Sequence, residues 1–138
     1  MRPSPLDVTI TDGADLLLLW ERLMGPWGFS TRTLWLIFLD ADGRPLPVIV
    51  PIEDVPAQPD ERSIASLRRI VGDLLDDDRV NSVPMLLSRP GPARMQAADC
   101  NWARALSGGL GPRLASWPIH LATQGSVRVF APDDLIAA

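Results

Sequence analysis

The stretch Thr33-Leu34-Trp35-Leu36-Ile37-Phe38-Leu39 is apolar at every position from Leu34 onward, and Asp40-Ala41-Asp42-Gly43-Arg44 closes it. A half-exposed strand alternates apolar and polar residues. A continuous run of this length, rich in aromatic and branched side chains, reads as a strand covered on both faces. The turn after it leads into a second apolar run, Leu46 to Ile52, so the two form a hairpin. Pro45, Pro47 and Pro51 remove backbone donors there, which sends the second strand to a sheet edge or a bulged path.

Working outward, Asp12 caps a helix whose stripe is Leu16, Leu19, Trp20 and Leu23, ended by Gly25-Pro26. Downstream, Asp60 caps a second helix, with Ile64, Leu67, Val71, Leu74 and Leu75 at spacings of three and four. Asp76-Asp77-Asp78 opposes a helix dipole at its C-terminus and is expected just beyond the last turn. Val83 to Leu87 reads as a third strand, Met95 to Ser107 as a third helix, and Trp117 to Thr123 and Val127 to Phe130 as the last strands. The expected fold class is α/β, one domain with a mixed sheet flanked by helices in the order α-β-β-α-β-α-β-β. Residues 1–11 read as a loosely held N-terminal arm, and 12–138 as the domain.

A chain of 138 residues that is 46% hydrophobic can bury a conventional core. Its single cysteine, Cys100, makes no internal disulfide and suits a reducing compartment. The longest apolar runs fall far short of a membrane span, and Asp7, Asp12 and Asp15 interrupt any secretion segment, so a cytoplasmic location is expected. Net charge is −4, from 13 Arg, no Lys and 17 acidic residues. That balance disfavours nucleic acid, which needs a basic field.

Ser88-Arg89-Pro90-Gly91-Pro92 follows a strand and precedes a helix, a common place for ligands in α/β folds. Ser88, Arg89 and Asp99 are therefore the candidate ligand-binding residues, Arg89 toward an anionic group. The ordinary reading makes the loop a rigid crossover and Asp99 a helix acid. Cys100 with His120, the only histidine, would need to meet to form a nucleophile–base pair. Glu53-Asp54 and Asp60-Glu61 offer paired carboxylates on a proline-rich loop. Trp27, in Gly25-Pro26-Trp27-Gly28-Phe29, is the candidate interface residue. No phosphate-cradling loop, zinc spacing or nucleophile elbow is present, so no cofactor is expected.

The run Leu36-Ile37-Phe38-Leu39-Asp40-Ala41-Asp42-Gly43-Arg44, the helix from Ile64 to Leu75, Met85-Leu86-Leu87-Ser88-Arg89-Pro90, and Asp99 opening a helix together resemble the RadC-like branch of the JAB/MPN metalloprotease fold. Trp117-Pro118-Ile119-His120-Leu121-Ala122 and the strand after it extend the likeness, which covers residues 12–131. That family carries His-x-His-Pro, a following Ser and Asp, and an upstream Glu; the histidines and Asp bind zinc and the Glu activates water. Matching Pro90 to the family proline lays Leu87-Ser88-Arg89 over the His-x-His, leaves Gln96 near the serine, and keeps Asp99 one residue short of its usual place. The upstream Glu falls around Ile49 to Val50, where no carboxylate stands, and Glu53 comes too late. The resemblance thus implies a degenerate form without metal, a non-catalytic module that binds a protein partner or a small ligand. Two alternatives stand beside it. One is a small metal-independent hydrolase or transferase using Asp99, Arg89, Ser88 and His120 or Glu53. The other is anion or nucleic-acid binding through Arg89, Arg94 and Arg104. The proline-rich edge argues against sheet extension between copies, while Trp27 and the first helix offer other contacts.

Overall fold

The computed structural model describes residues 6–25, 29–109 and 117–131. Strand β1 (Thr33–Leu39) lies between β2 (Pro45–Ile52), at the sheet edge, and β3 (Met85–Ser88). Beyond β3 come β4 (His120–Thr123) and β5 (Ser126–Val129), giving the order β2-β1-β3-β4-β5. Only the β3–β4 pair is parallel; the others are antiparallel. Helix α3 (Ala97–Gly109) connects that parallel pair, while α1 (Gly13–Met24) precedes the sheet and α2 (Glu61–Leu75) follows β2. The result is a single-domain mixed α/β topology in the order expected from the sequence.

The continuous apolar character of β1 has a direct structural cause. Leu34, Leu36 and Phe38 join a core with Leu67 and Val71 of α2 and Trp102, Ala103 and Leu106 of α3. The alternate residues Ile37 and Leu39, with Trp35 packed beside them, join the opposite core with Leu16, Leu19, Trp20 and Met24 of α1. Successive side chains of a strand point to opposite faces, so a strand sandwiched between two helical layers must be apolar throughout.

The prolines of β2 fall where the sheet tolerates them. The Ile37 N–H donates to Pro84 O at 3.2 Å, away from β2, so its partner Ile49 directs its own backbone groups to the outer edge. Pro51 shares that parity and opposes Trp35, so its missing donor lies on the unpaired side. The register shifts between Ile37 and Leu39, so the strand is both an edge and irregular.

Helix starts follow the expected caps. Asp12 accepts from Asp15 N at 2.9 Å, and Asp60 from Ser63 N at 2.7 Å. Asp15 reaches back to Thr11 N at 3.0 Å and Thr11 Oγ1 at 2.7 Å, and these bonds hold its carboxyl below the ordinary range. At the far end of α2, Asp76 is the C-cap, which places the acidic run beyond the last turn. Strand β4 starts three residues later than the apolar run suggests, beyond Pro118, which has no N–H to pair. Part of the segment expected to be a loose arm is anchored: Ile10 is buried and its N–H donates to Gly43 O at 2.8 Å.

Gly43 is required by that anchor. Its φ is +81°, and a Cβ there would collide with the carbonyl oxygen of Ile10. Gly125 has a similar φ of +80° but open space around it. Gly43→Ala should therefore lose about 2 kcal/mol or more in urea unfolding, and Gly125→Ala about 1 kcal/mol, the cost of the left-handed conformation alone. Equal losses would remove the role given to the Ile10 contact.

Candidate functional site: the strand–helix junction and the neighbouring groove

Ser88 ends β3 with its side chain on the α1 face, the face of Leu86 and Trp35. Its Oγ accepts from Trp35 Nε1 at 2.8 Å and contacts Thr33 O at 3.4 Å. The next side chain, Arg89, emerges on the opposite face, toward α3. The Arg89 N–H extends the parallel ladder by donating to Ala122 O at 3.1 Å.

The guanidinium of Arg89 is 1% exposed and the Asp99 carboxylate 0% exposed. Nε donates to Asp99 Oδ1 at 2.7 Å and Nη2 to Asp99 Oδ2 at 2.8 Å, a side-on bidentate pair. Nη2 also donates to Arg94 O at 2.8 Å, and Nη1 to Pro90 O at 3.1 Å and Pro92 O at 3.0 Å. All five N–H groups of the guanidinium are thereby used within the protein. Asp99 accepts in addition from Gln96 N at 2.9 Å. It stands at the third position of α3 and reaches back over the helix start, as the acid of a capping box does. Gly91 takes φ +98°, which lets the Pro90-Gly91-Pro92 turn wrap its carbonyls around the cation.

This junction is closed to ligands in the arrangement described. Arg89 has no donor left for an anion, Ser88 is buried and bonded on the other side of the sheet, and Asp99 spends both oxygens on the guanidinium. The residues do not fit a metal either: Leu87 is a core residue without donor atoms, and a guanidinium stands against the Asp99 carboxylate. Among the described residues, no group of three or more His, Cys, Asp or Glu could hold a metal ion.

The sheet also separates the other candidates. His120 shares the parity of Ala122 and so faces α1, whereas Cys100 sits on α3, beyond the opposite face. His120 is 1% exposed, its Nδ1 has no hydrogen-bond partner, and burial lowers its pKa to about 4, partly offset by the bond the imidazole donates to the Pro118 backbone carbonyl. Arg94 and Arg104 are exposed while Arg89 is buried, so the three arginines present no common surface. Trp27 lies outside the described residues.

Beside the junction is a groove of about 290 Å³ under the β2–α2 connection. Leu34, Ile52, Leu67 and Trp102 line its apolar side, with Ile70 at the lip; Glu53, Asp54, Arg62, Ser63 and Ser66 supply polar groups. The connection is fastened at several points: Val55 N donates to Arg32 O at 2.9 Å, Trp102 Nε1 to Pro56 O at 2.8 Å, and Asn101 Nδ2 to Gln58 Oε1 at 2.7 Å. Asp54 holds φ +57°, the one non-glycine positive φ among the described residues. The paired carboxylates were visible in the sequence, but the apolar wall behind them comes from four distant elements.

Removing one partner of the buried ion pair strands the other in a desolvated site. Asp99→Leu should cost about 3–5 kcal/mol, and adding Arg89→Met should recover at least about 1 kcal/mol of that. Urea unfolding of the single and double variants measures both; a double variant less stable than Asp99→Leu alone would refute the account. His120 gives a second expectation. Its native pKa lies below the unfolded value of 6.5, so its stabilising contribution is complete above that value and is lost as pH falls toward about 4. Between pH 7 and pH 5 the loss should be about 2 kcal/mol and should disappear in His120→Leu.

In comparison with known proteins, the chain matches no family model and no curated protein.

Proposed function

We propose that the chain is a non-catalytic domain of JAB/RadC-like type that serves as a binding module for a small ligand or a protein partner. The observation that supports this reading is the Arg89–Asp99 pair. It stands at the strand–loop–helix junction where the resemblance to that family would put a zinc ion, and every guanidinium donor is consumed by the protein. A guanidinium there supplies the positive charge that Asp99 needs and ties the loop to α3, but it offers no open coordination position and activates no water. A catalytic zinc site of this kind takes three protein ligands, and here Leu87 and Arg89 occupy two of their positions. None of the described helices is long and apolar enough to cross a membrane. With that, the lone thiol of Cys100 and the modest acidic charge fit a cytoplasmic setting.

The reading is tested by metal content. Protein purified without added metal should carry far less than stoichiometric zinc by inductively coupled plasma mass spectrometry. It should also show no peptide- or isopeptide-bond hydrolysis that a chelator abolishes. Zinc retained at one ion per chain through dialysis against a chelator would overturn it.

A further inference from the structure

We propose that the groove between the β2–α2 connection and helices α2 and α3 binds a small organic cation, an ammonium group carried on an apolar body. The proposal rests on the binding-module reading and gives that module a site and a ligand class. A groove of about 290 Å³ is the size of a single ring with a short chain, at the small end of ligand sites. Its apolar wall is continuous with the α2–α3 core through Leu34, Leu67 and Trp102, so a ring placed there would extend a packed layer. Ile70 at the lip is 40% exposed, apolar surface that such a ligand would cover.

The wall opposite α2 is preformed. The three hydrogen bonds from Val55 N, Trp102 Nε1 and Asn101 Nδ2 hold the connection against β1 and α3, so little ordering would accompany binding.

Charge selects the ligand. Glu53 and Asp54 stand together on the rim, and neither has an ion-pair partner among the described residues. Arg62, the one cation among the described residues that line the groove, interacts electrostatically with Asp60 at the start of α2, which offsets it. The uncompensated charge at the groove is therefore negative, and the Ser63 and Ser66 hydroxyls can accept further bonds from an ammonium. Asp54, also at the rim, holds a left-handed φ of +57°.

The test uses the full chain, labelled with nitrogen-15 and titrated separately with phenethylammonium, 2-phenylethanol and 3-phenylpropionate. Phenethylammonium should give saturable shifts at the Trp102 indole N–H and at residues 53–56, 66 and 70. It should bind at least about tenfold more tightly than the neutral and anionic analogues, the factor expected of one charge-assisted contact. Asp54→Asn keeps a residue type that tolerates the left-handed conformation, so its spectrum should remain dispersed; with Glu53→Gln it should weaken phenethylammonium by about tenfold or more. Absence of saturable shifts, equal affinity for the three compounds, or unchanged affinity in the double variant would each overturn the proposal. None of these outcomes touches the metal content that decides the binding-module reading, so the two can fail separately.

Discussion

Burial of β1 on both faces is the constraint from which the rest of the architecture follows. A strand without a polar face needs a helical layer on each side, and a neighbour along each edge to pair its backbone. α1 supplies one layer, α2 and α3 the other, and β2 and β3 supply the edges. The same constraint partitions the chemistry. Whatever shares the parity of Leu36 and Leu87 can meet α2 and α3; whatever shares the parity of Ile37 and Leu86 meets α1 instead. Ser88 and His120 fall on the α1 side, and Arg89, Asp99 and Cys100 on the other. The sheet therefore keeps Ser88 and His120 apart from Asp99 and Cys100, however near some of them stand in sequence.

The ion pair at the junction is a costly way to join a loop to a helix, and its cost explains its completeness. A guanidinium removed from water loses several kcal/mol of hydration, which a single carboxylate does not restore. Three backbone carbonyls supplement the bidentate contact. Two of them belong to prolines, residues with no N–H of their own to place in the same confined turn. The loop is thereby closed around its own cation, and α3 begins where Asp99 can serve both the helix and the arginine.

Much of this was legible in the sequence. The unbroken run from Leu34 to Leu39, the prolines of the next run and the aspartates at 12 and 60 each have one dominant local cause, and each appears as expected. Arg89 and Asp99 were singled out, but their relation was not. Ten residues separate them, and only the way Pro90-Gly91-Pro92 folds back decides whether the guanidinium faces solvent or the helix. The separation of Ser88 from Asp99 needed the identity of the helix covering each face, which hydrophobic periodicity does not encode. The groove was least accessible, because its lining combines the start of β1, the end of β2, α2 and α3, and no local pattern marks such a convergence.

The junction and the groove are nevertheless one construction. Leu34 pairs with Leu87 and Thr33 with Ser88, so the start of β1 and the end of β3 lie at the same end of the sheet. Trp102 follows Asp99 by three residues, nearly one helical turn, so both stand on the same side of α3. The Trp102 indole holds Pro56 and the connection that walls the groove. In α/β folds ligands gather at the ends of strands because loops converge there over a rigid sheet. Here the strand end itself is sealed by Arg89, and the open surface lies one helical turn to its side.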